Sequence, residues 1–174
     1  MKVLILGAGK VGGSLATALV NNNYDVSIVD QNINLLSELE EKLDIMTVNG
    51  HAAHKISIKK AGADEDTIVI AVTSSDEVNL IACQLAKKEF NVKKTICRLT
   101  EKTYTDNLNV FGEDAIDVAI NPENEVKEHL KELIMHPGTM QIEKFSDGKV
   151  SLVSVKASKK VKLVDIELKY IKYD

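Results

Sequence analysis

The stretch Lys2-Val3-Leu4-Ile5-Leu6-Gly7-Ala8-Gly9-Lys10-Val11-Gly12-Gly13 sets the fold of everything that follows it. Val3 to Leu6 form an apolar run long enough for a short buried strand. Gly7, Gly9 and Gly12 then give a Gly-x-Gly-x-x-Gly turn. Val11, Leu15, Ala18 and Leu19 recur at i, i+4, i+7 and i+8, one face of a helix. In a strand–turn–helix unit each glycine has its own task. Gly7 permits the tight turn, Gly9 lets backbone amides approach a pyrophosphate, and Gly12 lets helix and strand pack closely. The helix that begins there offers unpaired N–H groups and a partial positive charge to phosphate.

A second predicted strand, Asp25-Val26-Ser27-Ile28-Val29, ends on Asp30, about 20 residues past the glycines as a dinucleotide fingerprint requires. A carboxylate at that place accepts both hydrogens of an adenosine ribose diol and repels a 2′-phosphate. At about 4 Å and an effective dielectric near 20 one such charge pair costs roughly 4 kcal/mol, which selects NAD over NADP.

Strand and helix patterns alternate through residue 120. Leu35, Leu36, Leu39 and Leu43 form a helical stripe, and Ile45 to Val48 a short strand closed by Asn49-Gly50. A helix is predicted from Ala52 to Ala61, stopping at Gly62, and then a buried strand over Thr67 to Val72. Ser74 and Glu77 have capping-box spacing for a helix whose inner face is Val78, Ile81, Ala82 and Leu85. Lys94 to Arg98 is a further strand, Glu101 to Asn109 a helix, and Ala115 to Ile120 the last strand. The alternation predicts an α/β, Rossmann-like, doubly wound parallel sheet with its ligand at the carboxyl ends of the strands. This nucleotide-binding domain occupies residues 1–120.

Asn121-Pro122-Glu123 is a strong helix start, with Asn as N-cap and Pro at the first helical position. The linker helix, residues 121–136, carries Val126, Leu130, Leu133 and Ile134 on one stripe and stops at Pro137-Gly138. From residue 137 to 174 the period changes to two. Thr139 to Phe145 and Lys149 to Val155 flank Ser146-Asp147-Gly148, a hairpin signal. The apolar pattern resumes at Val161, Leu163, Ile166 and Leu168. So short a segment cannot bury a core by itself, and it is expected to be an incomplete β-rich C-terminal lobe.

Composition excludes several functions. The net charge of −4 and the absence of Trp argue against nucleic-acid binding, which needs a basic face and stacking platforms. No apolar run reaches 18 residues, so no segment is expected to insert in a membrane. The two cysteines, Cys83 and Cys97, lie in apolar periodic segments and are expected to be buried free thiols of a reducing cytosol. His51 and His54 make an H-x-x-H pair without a third ligand nearby, so no metal site is expected. A short-chain reductase needs Tyr with Lys four residues on. Here Tyr24 is followed by Ile28, Tyr104 by Leu108 and Tyr170 by Asp174. A cofactor cradle without catalytic residues fits a nucleotide sensor better than an enzyme.

Gly7 to Ala16, Val48 to Ala52, Ala71 to Asn79, Asn121-Pro122-Glu123 and Glu143 to Val153 together resemble the RCK (regulator of potassium conductance) family. Within it they are most similar to the peripheral subunits of bacterial Trk potassium uptake systems. The resemblance covers residues 1–157. It implies that Gly7, Ala8, Gly9, Lys10, Val11 and Gly12 hold the phosphates and Asp30 the adenosine ribose. It further implies that Thr73 and Ser74 touch the cofactor, and that Arg98 sits near the phosphates or the nicotinamide. Asn49 and Gly50 would border the adenine. Those Trk subunits are similar to two such units in tandem, each with a complete C-terminal lobe, so this chain is expected to be a fragment.

The leading expectation is a cytoplasmic, homo-oligomeric regulatory subunit, peripheral to the inner face of the cell membrane. It would bind NAD(H), with ATP or ADP as further ligands, and gate a Trk-type membrane potassium channel or transporter. The alternatives are a small NAD-dependent oxidoreductase or its cofactor-binding half, and an interaction domain without a ligand.

Overall fold

Alternation along the first strand explains the layering. The computed structural model describes residues 1–111, 115–135, 139–145 and 149–155. In β1 (Lys2–Leu6), Val3 and Ile5 face one side of the sheet and Leu4 and Leu6 the other, all 2% exposed or less. A strand buried on both faces needs helices on both. Val3 and Ile5 pack in a cluster with Ala16 of α1 (Lys10–Asn21) and Leu36 of α2 (Ile33–Glu40). Leu4 and Leu6 join a cluster with Ile58 of α3 (Lys55–Lys60) and Leu80 and Cys83 of α4 (Asp76–Phe90).

The other strands are β2 (Asp25–Asp30), β3 (Met46–Asn49), β4 (Thr67–Ala71), β5 (Lys94–Arg98) and β6 (Val118–Ile120). All six pair in parallel, in the order β3-β2-β1-β4-β5-β6. The order reverses between β1 and β4, the switch point where an open α/β sheet leaves a crevice at its carboxyl edge. The doubly wound parallel sheet expected from the alternation is the observed fold.

Several local expectations shift, each for a physical reason. On α1 the buried residues are Gly12 and Ala16; Val11 is 50% exposed. Small residues take the helix–strand contact, so the inner face turns away from Val11. On α4, Ile81 is exposed while Asn79, Leu80, Ala82, Cys83 and Ala86 are buried. The predicted helix over Ala52 to Ala61 shortens to α3. Before it, His51 Nδ1 accepts from the Ala53 amide and the His51 carbonyl from the His54 amide, making a turn. The predicted helix over Glu101 to Asn109 becomes α5 (Lys102–Thr105) followed by a 3-10 turn at Leu108–Phe111. Thr105 and Asn107 side chains there bond backward to Lys102 and Thr103 carbonyls, in competition with regular helix.

The last strand of the sheet also starts late. Thr95 gives its amide to Asp117 Oδ2 at 2.6 Å and its hydroxyl to the Ala115 carbonyl, so side chains replace ladder bonds ahead of Val118. Burial pushes the Asp117 carboxyl up, but bonds from Lys87 and Thr95 outweigh it and leave it below its ordinary value. Cys83 and Cys97 are free and fully buried; the neighbouring Cys97 thiol and burial push the Cys83 thiol well above its usual range.

A second compact unit begins at Glu123. It contains nearly all of α6 (Pro122–Met135), whose Val126, Leu130 and Ile134 are each more than half exposed. It also contains the antiparallel pair β7 (Thr139–Phe145) and β8 (Val150–Val155), with Ile142 opposite Val153. The Pro137-Gly138 stop, the Ser146-Asp147-Gly148 turn and the pattern from Val161 to Leu168 lie outside the described residues.

Candidate functional site

The site begins with Gly7, where β1 stops. Its φ is +109°, and a Cβ there would stand 3.0 Å from the Thr73 nitrogen, so only glycine fits the turn. Its amide still bonds the Val29 carbonyl at 2.8 Å. A Cβ at Gly12 would fall 1.8 Å from the Gly7 oxygen, which is the close helix–strand packing expected of the third glycine. Gly9 differs from both. It is the N-cap of α1 with φ −64°, and a Cβ there would meet nothing within 4 Å. The space in front of Gly9 is open.

The start of α1 has neither a side-chain cap nor an acid in its first turn. Its leading N–H groups therefore have no partner from the helix itself. The start of α4 is already satisfied: Ser75 Oγ accepts from the Val78 amide, and Asp76 and Glu77 occupy the first turn. The cap is thus Ser75, one residue past the Ser74 that the capping-box spacing selects. Unlike the start of α4, the start of α1 is left for an outside anion.

Between them lies a crevice of about 310 Å³ at the carboxyl edge of the sheet. Gly7, Gly9, Asp30, Thr73 and Ser74 line it, joined by Gln31, Leu35, Gly50, His51 and Ser75. Among the described residues Asp30 is the only carboxylate in that lining, and no Lys or Arg belongs to it. Each Asp30 oxygen already accepts one amide, Oδ2 from Ala8 at 2.6 Å and Oδ1 from Asn32 at 2.7 Å. The carboxylate thus ties the glycine turn to the end of β2, and each oxygen keeps a lone pair for a diol.

Of the remaining predicted residues, Ala8 is buried behind the turn, Gly12 is buried in the helix contact, and Lys10 and Val11 are exposed on the first turn of α1. Arg98 closes β5 and, like these four, is outside the crevice lining. Asn49 Nδ2 bonds the Asp30 and Gln31 carbonyls at 3.2 and 2.9 Å, bracing the β2–β3 edge. His51 and His54 stack with ring centroids 4.5 Å apart. Among the described residues no group of three or more His, Cys, Asp or Glu could hold a metal ion.

Two buried polar residues build the site without having been singled out from sequence. Asn79, fully buried, accepts from the Thr73 amide at 2.9 Å and the Thr73 hydroxyl at 2.7 Å. Its amide nitrogen donates to the carbonyls of Thr73 and Arg98, joining the ends of β4 and β5. Asp76 Oδ2 accepts from the amides of Thr100 and Glu101 and the Thr100 hydroxyl, holding the turn after β5. Their signal was available. Asp76, Asn79 and Cys83 follow at i, i+3 and i+7, so an acid and an amide fall on the buried face of a helix.

A sequence model of the TrkA-N domain matches residues 3–122, the parallel sheet with its helices. The chain belongs to the TrkA-N family. It is 41% identical over 174 residues to the Trk system potassium uptake protein TrkA of Halomonas elongata, covering 99% of this chain and 38% of that protein. The chain thus spans under two fifths of that relative's length. Among solved structures it is similar to the TrkA-N domain of the inner membrane protein ybaL from Escherichia coli. That likeness has a TM-score of 0.68 at 19% identity and covers 76% of this chain and 96% of that one. The GsuK channel bound to NAD superposes with a TM-score of 0.63 at 17% identity, over 84% of this chain and 25% of that one. GsuK is also described bound to ADP, where the TM-score is 0.62 at 20% identity, over 78% of this chain and 34% of that one.

Proposed function

We propose that this chain is the NAD(H)-binding part of a regulatory subunit that gates a Trk-type membrane potassium channel or transporter. The diphosphate lies on the start of α1, held by Gly7, Ala8, Gly9, Lys10, Val11 and Gly12. Asp30 takes the adenosine ribose diol, Thr73 and Ser74 contact the cofactor from the end of β4, and Arg98 sits near the phosphates or the nicotinamide side. ADP and ATP are further ligands of the same crevice. Residues 1–120 form the nucleotide-binding domain, 121–136 the linker and 137–174 the opening of a C-terminal lobe. The subunit acts as a homo-oligomer at the cytoplasmic face of the membrane and carries out no catalysis.

The observation that carries this reading is the unsatisfied start of α1, facing an open crevice in which Asp30 is the lone carboxylate. Family membership supports the assignment to potassium uptake. Calorimetry with NADH tests the binding. Asp30→Ala removes charge-assisted bonds worth about 1.5–3 kcal/mol each, so affinity should fall at least about tenfold. Absence of NADH heat with the unaltered chain would overturn the proposal. Turnover of NADH against a panel of carbonyl compounds would replace it with an oxidoreductase.

A further inference from the structure

We propose that Glu77 sets the charge the crevice accepts, disfavouring nucleotides that end in a phosphate, such as ADP and ATP, relative to a dinucleotide esterified at both ends. The inference rests on the nucleotide reading of the crevice and adds its selectivity.

Ser75 lines the crevice together with Thr73, Ser74, Gly7 and Gly9. Its hydroxyl donates to Glu77 Oε2 at 2.7 Å, so a carboxylate stands one hydrogen bond behind the wall facing the phosphates. Tyr104 on α5 donates its hydroxyl to the other oxygen, Glu77 Oε1, at 3.1 Å. Glu77 is therefore held from two sides. The Ser75 hydroxyl, with help from its own helix start and from Tyr104, keeps its carboxyl below the ordinary range, so it is ionised at neutral pH.

No Lys or Arg is among the described residues lining the crevice; Lys10, on the first turn of α1, and Arg98 stand outside that lining. The positive potential comes from backbone amides and helix starts, a supply suited to a modest anion. The diphosphate of NAD(H) has no terminal phosphate. A terminal phosphate titrates near pH 6 and adds most of one further negative charge, and in ATP a second phosphate unit adds more. The added charge enters a crevice whose described lining holds Asp30, with Glu77 behind Ser75, and no Lys or Arg. The bonded hydroxyl of Ser75 is also turned to Glu77 and is not free to donate to phosphate.

The test compares dissociation constants for NADH, ADP and ATP with the unaltered chain, Glu77→Gln and Tyr104→Phe. Glu77 is exposed, and the Ser75 cap on the Val78 amide does not require it, so the variant keeps its fold; melting curves verify this. Glu77→Gln should tighten ADP about fivefold and ATP more, the order expected for one charge pair across a partly solvated gap, while NADH moves less than about twofold. Tyr104→Phe leaves the charge in place and should change the ADP-to-NADH ratio less than about twofold. An unchanged ratio in Glu77→Gln overturns the inference, as does an equal relaxation by Tyr104→Phe, which would make the effect one of position. Failure of NADH to bind the unaltered chain overturns the nucleotide reading itself and this inference with it.

Discussion

Gly9→Ala separates binding from folding at a single atom. The backbone at Gly9 has φ −64° and ψ −170°, an extended conformation open to any residue, and a Cβ there has no neighbour within 4 Å. The effect on stability is therefore small. Reducing the freedom of the unfolded chain contributes about 0.4–1 kcal/mol in favour of the variant. Replacing glycine by alanine at an N-cap position costs a similar amount, about 0.5–1 kcal/mol, so the net change should lie within about 0.5 kcal/mol. The effect on a ligand is large, because the new methyl group projects into the open space before the first amides of α1. Displacing the phosphates by that width forfeits one or two charge-assisted bonds of about 1.5–3 kcal/mol each. The dissociation constant for NADH should rise by at least about tenfold and up to a few hundredfold. Thermal melts without ligand and NADH calorimetry on the same samples read the two quantities. A Tm several degrees lower would show that Gly9 is crowded. Unchanged NADH affinity would place the phosphates somewhere other than α1, and the account of the site would fail.

Gly12→Ala should do the reverse of Gly9→Ala: its Cβ meets the Gly7 oxygen at 1.8 Å, so helix and strand must separate and melting should fall steeply, by several kcal/mol. Asn79→Ala removes the acceptor of the Thr73 amide and hydroxyl and the amide that joins Thr73 to the Arg98 carbonyl, and should cost about 2–4 kcal/mol, seen as a lower midpoint in urea with little change in slope. Asp117 has its carboxyl lowered from 3.8 in the folded state, so its contribution is complete above that value and disappears as the pH falls through the folded pKa. Acid titration of stability should therefore be shallower in Asp117→Asn, and an identical acid limb would remove Asp117 from the account. Leu130→Ala with Leu133→Ala should lower the mass seen by light scattering if the apolar side of α6, where Leu130 is exposed and Leu133 half-buried, joins copies of the chain, and an unchanged mass would refute that role.

Periodicity and glycine chemistry carried the sheet, because β1 is buried on both faces and reads as an unbroken apolar run, Val3 to Leu6. Asp30 was legible for a related reason: it closes such a run at a fixed distance from the glycines. The failures have a common origin. Val11 and Ile81 obey the helical period yet face outward, since period alone does not say which edge of an apolar stripe meets the sheet. The missing half of the predicted 101–109 helix was lost to Thr and Asn side chains bonding backward, a competition decided over single residues. Asn79 and Asp76 stayed hidden because a polar residue in an amphipathic helix is ordinarily assigned to the solvent side. Their partners, Thr73, Arg98, Thr100 and Glu101, come from two other strand ends, and only the parallel order of β4 and β5 brings these together.

That bracing constrains how the crevice can signal. Asp30 holds Ala8, Asn79 holds Thr73 to the end of β5, and Asp76 holds the turn beyond it, each through bonds within the chain itself. A nucleotide entering such a site spends little on ordering its walls, which favours affinity. The same stiffness means that occupancy does not act by assembling the crevice. A ligand shifts an equilibrium only as far as it binds one arrangement better than another, and typical couplings are about 1–3 kcal/mol. The difference must therefore arise where the ligand's charge meets a group that is held less firmly. Glu77 is such a group only by comparison with the buried Asn79 and Asp76: it is exposed, and its two oxygens bond Ser75 at the crevice and Tyr104 on α5.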